Sequence, residues 1–104
     1  MKLVFTAAAR ADLHAIGDWI ASDNAPRAVT FIDELEQHCA RLADRPQMHP
    51  LLIRRESTGL RKAVHGNYLI FYRMADDDAV EIVRILHGAQ DWERVLFEDD
   101  ERRE

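Results

Sequence analysis

Two apolar stripes at helical spacing, joined by a short polar turn, most strongly constrain what this chain can fold into. The first stripe consists of Ala9, Leu13, Ile16 and Ile20, and the second of Ala28, Ile32, Leu35, Cys39 and Leu42. Apolar residues that recur every three or four positions lie on one face of an α-helix. "SDNAP" (22–26) interrupts the pattern, and Pro26 is acceptable in the first turn of a helix. The stripes therefore predict an antiparallel helical hairpin that Thr6 caps at its start and Pro46 ends.

Short β-prone runs lie on both sides of this hairpin. They are "KLVF" (2–5), "LRKAVH" (60–65), "YLIFYRM" (68–74) and "AVEIVRIL" (79–86). Gly66 and Asn67 between the second and third runs are typical of a tight β-turn, and "YLIFY" is typical of a central strand buried on both faces. The order β-α-α-β-β-β predicts an α+β fold, with the helical hairpin packed on one face of a small, mainly antiparallel sheet. We expect residues 1–97 to form a single domain and residues 98–104 a charged tail.

The charge balance limits the partners that we expect. The 104 residues carry 14 basic and 19 acidic side chains, a net charge of −5. Proteins that grip a phosphate backbone usually have a basic excess, so we expect no sequence-specific nucleic-acid binding by this chain alone. Basic residues are nevertheless concentrated between Ile53 and Arg73, where Glu56 is the only carboxylate. A local patch of this kind can bind anions.

Several features favour a cytoplasmic protein that needs no cofactor. No apolar run approaches the length of a membrane span, and the single Cys39 excludes an internal disulfide. Phosphate-binding, dinucleotide-binding and zinc-protease motifs are missing. His14 and Asp18 stand one helical turn apart, but two ligands without a third do not define a metal site. We therefore expect no metal and no cofactor.

Arg84 is the least expected residue of the last β-prone run. By strict alternation it shares a face with three apolar residues, Val80, Ile82 and Leu86. Burying a guanidinium without partners costs several kcal/mol, so the residue needs an explanation. Either it pairs with a carboxylate or extends to the sheet edge, or it faces a groove on the side that the helices leave open. Our hypothesis is that Arg84 lies on this groove side, where carboxylate or backbone acceptors hold it or a partner covers it.

Arg61 and His87 are the other candidates for the same groove. Arg61 begins the first run after the helices, and His87 ends the last one. In a three-stranded meander these runs are separated by the middle strand, yet long side chains on one face can converge across it. The three residues together would make an anion-facing or partner-facing site.

The segment "DWERVLFE" (91–98) carries a large apolar load beside a polar terminus. Trp92, Val95 and Leu96 fall on one helical face, and Phe97 adds to them. These side chains either pack back on the domain or form a docking surface for a partner, since exposed aromatic clusters mark interfaces. Both interpretations are compatible with the pattern.

Four stretches together resemble the ParE branch of the RelE/ParE superfamily, the toxins of type II toxin–antitoxin modules. They are "ADLHAIGDWIA" (11–21), "PRAVTFIDELEQHCARLADRP" (26–46), "GLRKAVHGNYLIFYRM" (59–74) and "VEIVRILHGAQDWERVL" (80–96). The resemblance extends from Phe5 to Leu96. It implies the β-α-α-β-β-β order and a small ParD-like antitoxin that wraps the toxin as a hetero-oligomer. ParE-like toxins poison DNA gyrase without chemistry of their own, whereas RelE-like toxins cut messenger RNA on the ribosome.

The resemblance places Arg61 and Arg84 at the two arginine positions of the superfamily. RelE-like sites often carry a Tyr or His a few residues beyond the second arginine, but six residues beyond Arg84 this chain has Gln90, which cannot titrate. The acidic net charge also disfavours ribosome binding. We therefore expect a gyrase inhibitor with no catalytic residue. The alternatives are a nuclease that uses Arg61, Arg84 and His87, or a remnant that only binds its antitoxin.

Overall fold

The computed structural model describes residues 1–75 and 78–102, with no side-chain description for residues 98–102. Its elements are β1 (Lys2–Phe5), α1 (Ala7–Ala21), α2 (Ala25–Asp44), a 3₁₀ turn (Glu56–Thr58), β2 (Arg61–His65), β3 (Tyr68–Ala75), β4 (Ala79–His87) and α3 (Trp92–Arg102). This order confirms the predicted α+β fold. The expected boundary between residues 97 and 98 falls within α3, and the whole charged tail, residues 98–104, lies outside the described side chains.

α1 begins at the predicted cap, Thr6, and α2 begins at a cap that the sequence analysis did not name, Asn24. The Thr6 hydroxyl accepts a hydrogen bond from the Ala9 amide at 3.0 Å. Asn24 caps α2 in the same way by accepting from the Arg27 amide at 3.1 Å, and Pro26 lies in the first turn. Each cap satisfies an amide that has no partner inside its helix. Among the residues described, no helix has both the length and the apolar character that a membrane span requires.

The four strands form one mixed sheet in the order β1-β4-β3-β2. β1 runs parallel to β4, while β4–β3 and β3–β2 are antiparallel. The prediction of a mainly antiparallel sheet is therefore confirmed. In β3, Ile70, Phe71 and Tyr72 are fully buried, as expected for a central strand. The turn between β2 and β3 uses a positive φ of 58° at Gly66, a conformation that glycine adopts without strain.

The helical hairpin covers one face of the sheet and encloses the main core. The largest fully buried side chains on this side are Leu35, Leu42, Ile70, Tyr72, Val80, Ile82 and Ile85. Cys39 is fully buried among them, and this burial raises the pKa of its thiol to about 12. The thiol is therefore a packing group, because the reactive thiolate is not formed near neutral pH.

A β-bulge divides β4 into two halves. Phe71 stands opposite Arg84 and Tyr72 stands opposite Ile82, so Val83 is an extra residue in the ladder. A single extra residue exchanges the faces of every side chain beyond it. Val80 and Ile82 consequently pack under the helices, whereas Leu86 packs on the other face. The prediction from strict alternation that these three share one face is wrong.

The second face of the sheet is also covered, contrary to our expectation that the helices leave it open. Leu86 and Phe71 form a second buried cluster with Leu52, Leu60 and Phe97, and Trp92 and Leu96 pack against it. The covering elements are α3 and the segment 50–60. Since an exposed Phe71 and Leu86 would leave a large apolar surface in water, closing this face with the chain's own tail is favourable.

Candidate functional site

Arg84 forms a bidentate ion pair with Asp12 of α1. The Arg84 Nε lies 2.7 Å from Asp12 Oδ2, and Nη2 lies 2.9 Å from Oδ1. The Arg84 side chain is 28% exposed and the Asp12 side chain 13%. The hydrogen bond that Arg84 donates to Asp12 raises the pKa of Arg84 and outweighs the opposing effect of burial. The structure confirms that Arg84 pairs with a carboxylate, which was one of the interpretations from the sequence.

The end of β1 explains why Asp12 is needed at this position. β1 stops at Phe5, opposite Ile82, so the rest of β4 has no strand along that edge. Asp12 Oδ2 accepts a hydrogen bond from the Ile85 amide at 2.9 Å on this uncovered edge. One carboxylate thereby satisfies both a backbone donor and a permanent charge. The two partners are 72 residues apart in sequence, so no short-range pattern could have indicated them.

Arg61 is engaged with the segment that follows α2. Its Nη1 donates to the His49 carbonyl oxygen at 2.5 Å, and it stands opposite Tyr72 in the sheet. The Tyr72 hydroxyl donates to the Pro46 carbonyl oxygen at 3.0 Å. Among the described residues, Arg61 Nε and His49 Nε2 are buried without a hydrogen-bond partner. Arg61 therefore fastens the loop after α2 and has spare polar capacity inside it.

His87 and Arg61 stand opposite residues of β3 that are four positions apart. His87 stands opposite Tyr68, and Arg61 opposite Tyr72. Four residues of β-strand separate these positions by about 13 Å. The His87 Nδ1 accepts a hydrogen bond from the Ala89 amide at 3.0 Å, so this nitrogen is already occupied. The structure does not bring Arg61, Arg84 and His87 together into one site.

A pair of histidines that the sequence did not indicate as functional joins α2 to β2. His38 Nδ1 and His65 Nδ1 are 2.8 Å apart, and the rings of Phe31 and Tyr68 continue the row toward His87. Burial lowers the pKa of both His38 and His65. In the part of the chain that the structure describes, no group of three or more His, Cys, Asp or Glu side chains is placed to hold a metal ion.

The apolar residues of α3 differ in how far they are buried. Phe97 is only 4% exposed, Trp92 and Leu96 are half-buried, and Val95 is exposed. Packing back on the domain is thus confirmed for Phe97, whereas Val95 is available to a partner. Trp92 is intermediate because one side of its ring packs on Phe71, with ring centroids 5.2 Å apart.

Beside Trp92 lies a hollow of about 310 Å³, which we call the Trp92 pocket. It is lined by Pro50, Leu51, Leu52, Ile53, Lys62, Trp92 and Glu93. The Lys62 ammonium lies 4.9 Å from the centre of the Trp92 ring, and Ile53 is 84% exposed at the rim. Nearby, the Arg55 guanidinium lies 4.1 Å from the centre of the Phe97 ring. Apolar walls with cations held on aromatic faces can bind an apolar side chain together with an anionic group.

Similar solved structures define the class of protein to which this architecture belongs. A chain of the chromosomal ParDE system from P. aeruginosa superposes with a TM-score of 0.69 at 22% identity, covering 84% of this chain and 95% of that one. A chain of the RelBE2 toxin–antitoxin complex from Mycobacterium tuberculosis gives a TM-score of 0.60 at 28% identity, covering 83% and 95%. The fold is that of the toxins of type II toxin–antitoxin systems.

The sequence identifies the family more closely. Residues 3–92 match the family model described as the ParE toxin of the type II toxin–antitoxin system parDE. The chain belongs to this family and is a ParE-type toxin. None of the curated proteins is similar enough in sequence to match.

Proposed function

We propose that this toxin acts by binding DNA gyrase as a protein ligand, without catalysis of its own, and that a ParD-like antitoxin neutralises it in the cytoplasm. The observation that carries the proposal is the separation of the three candidate catalytic residues. Arg84 is bound to Asp12, Arg61 is bound to the His49 carbonyl, and His87 stands four positions along β3 from Arg61.

A ribonuclease needs these groups in one place. It requires an acid or base within hydrogen-bond reach of the reacting atoms and cations that stabilise the growing charge on the phosphate. To supply such a cation, Arg84 would have to break its bidentate ion pair with Asp12. Target binding makes no such demand, because an interface needs only a few well-placed apolar and cationic anchors.

The Trp92 pocket is the surface that we propose for target contact. Trp92 and Val95 supply apolar contacts, and Lys62 supplies the cation. Leu96 and Phe97 act indirectly, because their burial fixes α3 against the sheet. In this scheme, Arg84 positions β4 through Asp12.

The test is a paired assay of purified protein in gyrase supercoiling and cleavage reactions and in cell-free translation. The proposal predicts inhibited supercoiling with accumulated cleaved DNA, while translation continues. Trp92→Ala should weaken inhibition by tenfold or more, as expected for an aromatic hot spot, where a loss of about 1.4 kcal/mol corresponds to tenfold. Trp19→Ala is the matched control, because Trp19 is exposed on α1, away from the pocket. Equal inhibition by both variants would remove the Trp92 pocket from the proposal.

A RelE-like nuclease is the second candidate, favoured by the 28% identity to a chain of the RelBE2 complex. Blocked translation with intact supercoiling would select it, and then Arg61→Ala and His87→Ala should abolish cleavage of messenger RNA. If the protein inhibits neither gyrase nor translation but still binds the antitoxin, it is a remnant whose remaining role is to bind its antitoxin.

A further inference from the structure

All three methionines of the chain line a single hollow, although they are far apart in sequence. Met1, Met48 and Met74 surround a space of about 570 Å³ together with Arg45, Pro46 and Gln47. The three methionines are 47%, 59% and 37% exposed, in that order. Their unbranched thioether side chains adapt to different partners, which is why methionine is frequent at binding surfaces.

A second hollow continues the first along the end of α2. It has a volume of about 330 Å³ and shares Arg45 and Met48 with the larger hollow. Together the two form what we call the methionine groove. A groove of this size accepts whole apolar side chains, whereas a soft metal ion held by three thioethers would need a much tighter cage.

The charges beside the groove indicate the chemistry of its occupant. Arg41 and Arg45 both line the smaller hollow, one helical turn apart, and neither forms an ion pair with a described residue. Asp44 lines the same hollow and reduces this positive charge without cancelling it. In a chain of net charge −5, two unpaired guanidinium groups beside apolar walls favour a segment that carries both bulky apolar and acidic side chains.

The position of the groove relates it to the Trp92 pocket. Residues 46–48 line the groove, and residues 50–53 line the pocket. A segment anchored in the groove is therefore held beside the surface proposed for gyrase, at high effective concentration. Occupation of the groove can in this way block the target surface without a change in the fold.

We infer that the methionine groove binds the antitoxin through an acidic, apolar segment, with apolar side chains in the two hollows and a carboxylate facing Arg41 and Arg45. This inference rests on the proposed function, since it requires an antitoxin. It adds the anchoring surface, the chemistry of the segment and a route to neutralisation.

The test measures binding of the full-length toxin to the ParD-like protein encoded beside it. Met48→Asp should weaken binding by at least about tenfold, because it places a carboxylate where apolar contact and positive charge meet. Val29→Asp makes the same change at an exposed site on α2 outside the groove and should leave the affinity unchanged. Arg41→Glu combined with Arg45→Glu should weaken binding about tenfold at low salt and less at high salt.

The methionines also supply a readout that needs no variant. Dilute hydrogen peroxide transfers one oxygen atom to each accessible sulfide and leaves water, and mass spectrometry measures the rate at each residue. In the wild-type complex, oxidation of Met48 should be at least about tenfold slower than in the free toxin. Equal rates in a complex that survives gel filtration would overturn the inference while the proposed function stands. Protection in the free toxin through self-association would make a second copy the occupant and would also overturn it. If the wild-type toxin fails to bind the antitoxin, the proposed function itself fails, and the inference with it.

Discussion

The two faces of the sheet are both covered, but in different ways. Under the helical hairpin, the buried side chains are almost entirely apolar and form one continuous core around Leu35, Ile70 and Ile82. On the second face, a smaller cluster around Phe71 and Phe97 is closed by a short helix and a loop. There, Lys62 and Arg55 lie on aromatic rings, and Ile53 is left in water.

This difference separates the task of folding from the task of binding. The first face buries its apolar surface as fully as a domain interior, and the methionine groove lies only at its margin, at the end of α2. The second face is stable enough to be ordered, yet it leaves a hollow, cations and an exposed aliphatic side chain. Elements of lower local stability commonly carry binding function. Four predictions test this contrast, from the largest expected effect to the smallest.

The largest effect is expected under the helices. Leu35→Ala removes a fully buried side chain from the main core and should lower the free energy of unfolding by about 3–4 kcal/mol. Urea denaturation followed by circular dichroism measures this loss. Val29→Ala on the exposed side of the same helix should change it by less than about 0.5 kcal/mol. A similar effect from the two substitutions would mean that the helix layer is not the main core.

The link between the helix layer and the exposed edge of β4 comes second. Asp12→Ala leaves the Arg84 guanidinium and the Ile85 amide without their partner and should cost about 2 kcal/mol. Asp12→Asn keeps one acceptor oxygen and should cost less. If Asp12→Ala proved as stable as the wild type, the ion pair would make no contribution to the stability of the fold.

A smaller and more local effect is expected on the second face. Phe97→Ala should cost about 1–2 kcal/mol, less than a central Phe, because the end of the chain can relax around the cavity. Hydrogen exchange should accelerate across α3 while α1 and α2 stay protected. Val95→Ala is the control, since Val95 is exposed on the same helix. Equal acceleration in all three helices would contradict the independence of the two faces.

The smallest effect concerns pH and the histidine pair. Burial lowers the pKa of His38 and of His65 below the ordinary value of 6.5. Between the lowered pKa and 6.5, the unfolded chain binds more protons than the folded one, so stability falls as the pH decreases through this window. Because both rings are partly exposed, we expect less than about 1 kcal/mol. Thermal melts at intervals between about pH 5 and pH 7 should show the loss, and His38→Gln should reduce it.

Periodicity was sufficient to predict α1, α2 and the four strands. The stripes of α1 and α2 and the continuous apolar run of β3 are local patterns, which can be read directly from the sequence. The parallel pairing of β1 with β4 is not visible in the sequence, because it depends on a contact between the two ends of the chain. The ParE resemblance rested on four stretches in order and was confirmed by the family match.

The candidate site was predictable only in part, and Val83 shows why. The bulge at this residue inverts the faces beyond it, so a strict count placed Arg84 in the wrong surroundings. The sequence gives no signal of this bulge, because valine is common in regular strands. The partner Asp12 was equally hidden, because it lies on another element far away in sequence. The methionine groove escaped notice for the same reason, as its three methionines come from three separate parts of the chain.

The sealed sulfhydryl of Cys39 has a practical consequence. Since this is the only cysteine of the chain and it is fully buried with a pKa of about 12, maleimide reagents will leave the native protein unmodified. A cysteine introduced at the surface would then be the sole point of attachment for a fluorophore or a spin label. Distances from the toxin to any bound protein can thus be measured without first engineering away a natural thiol.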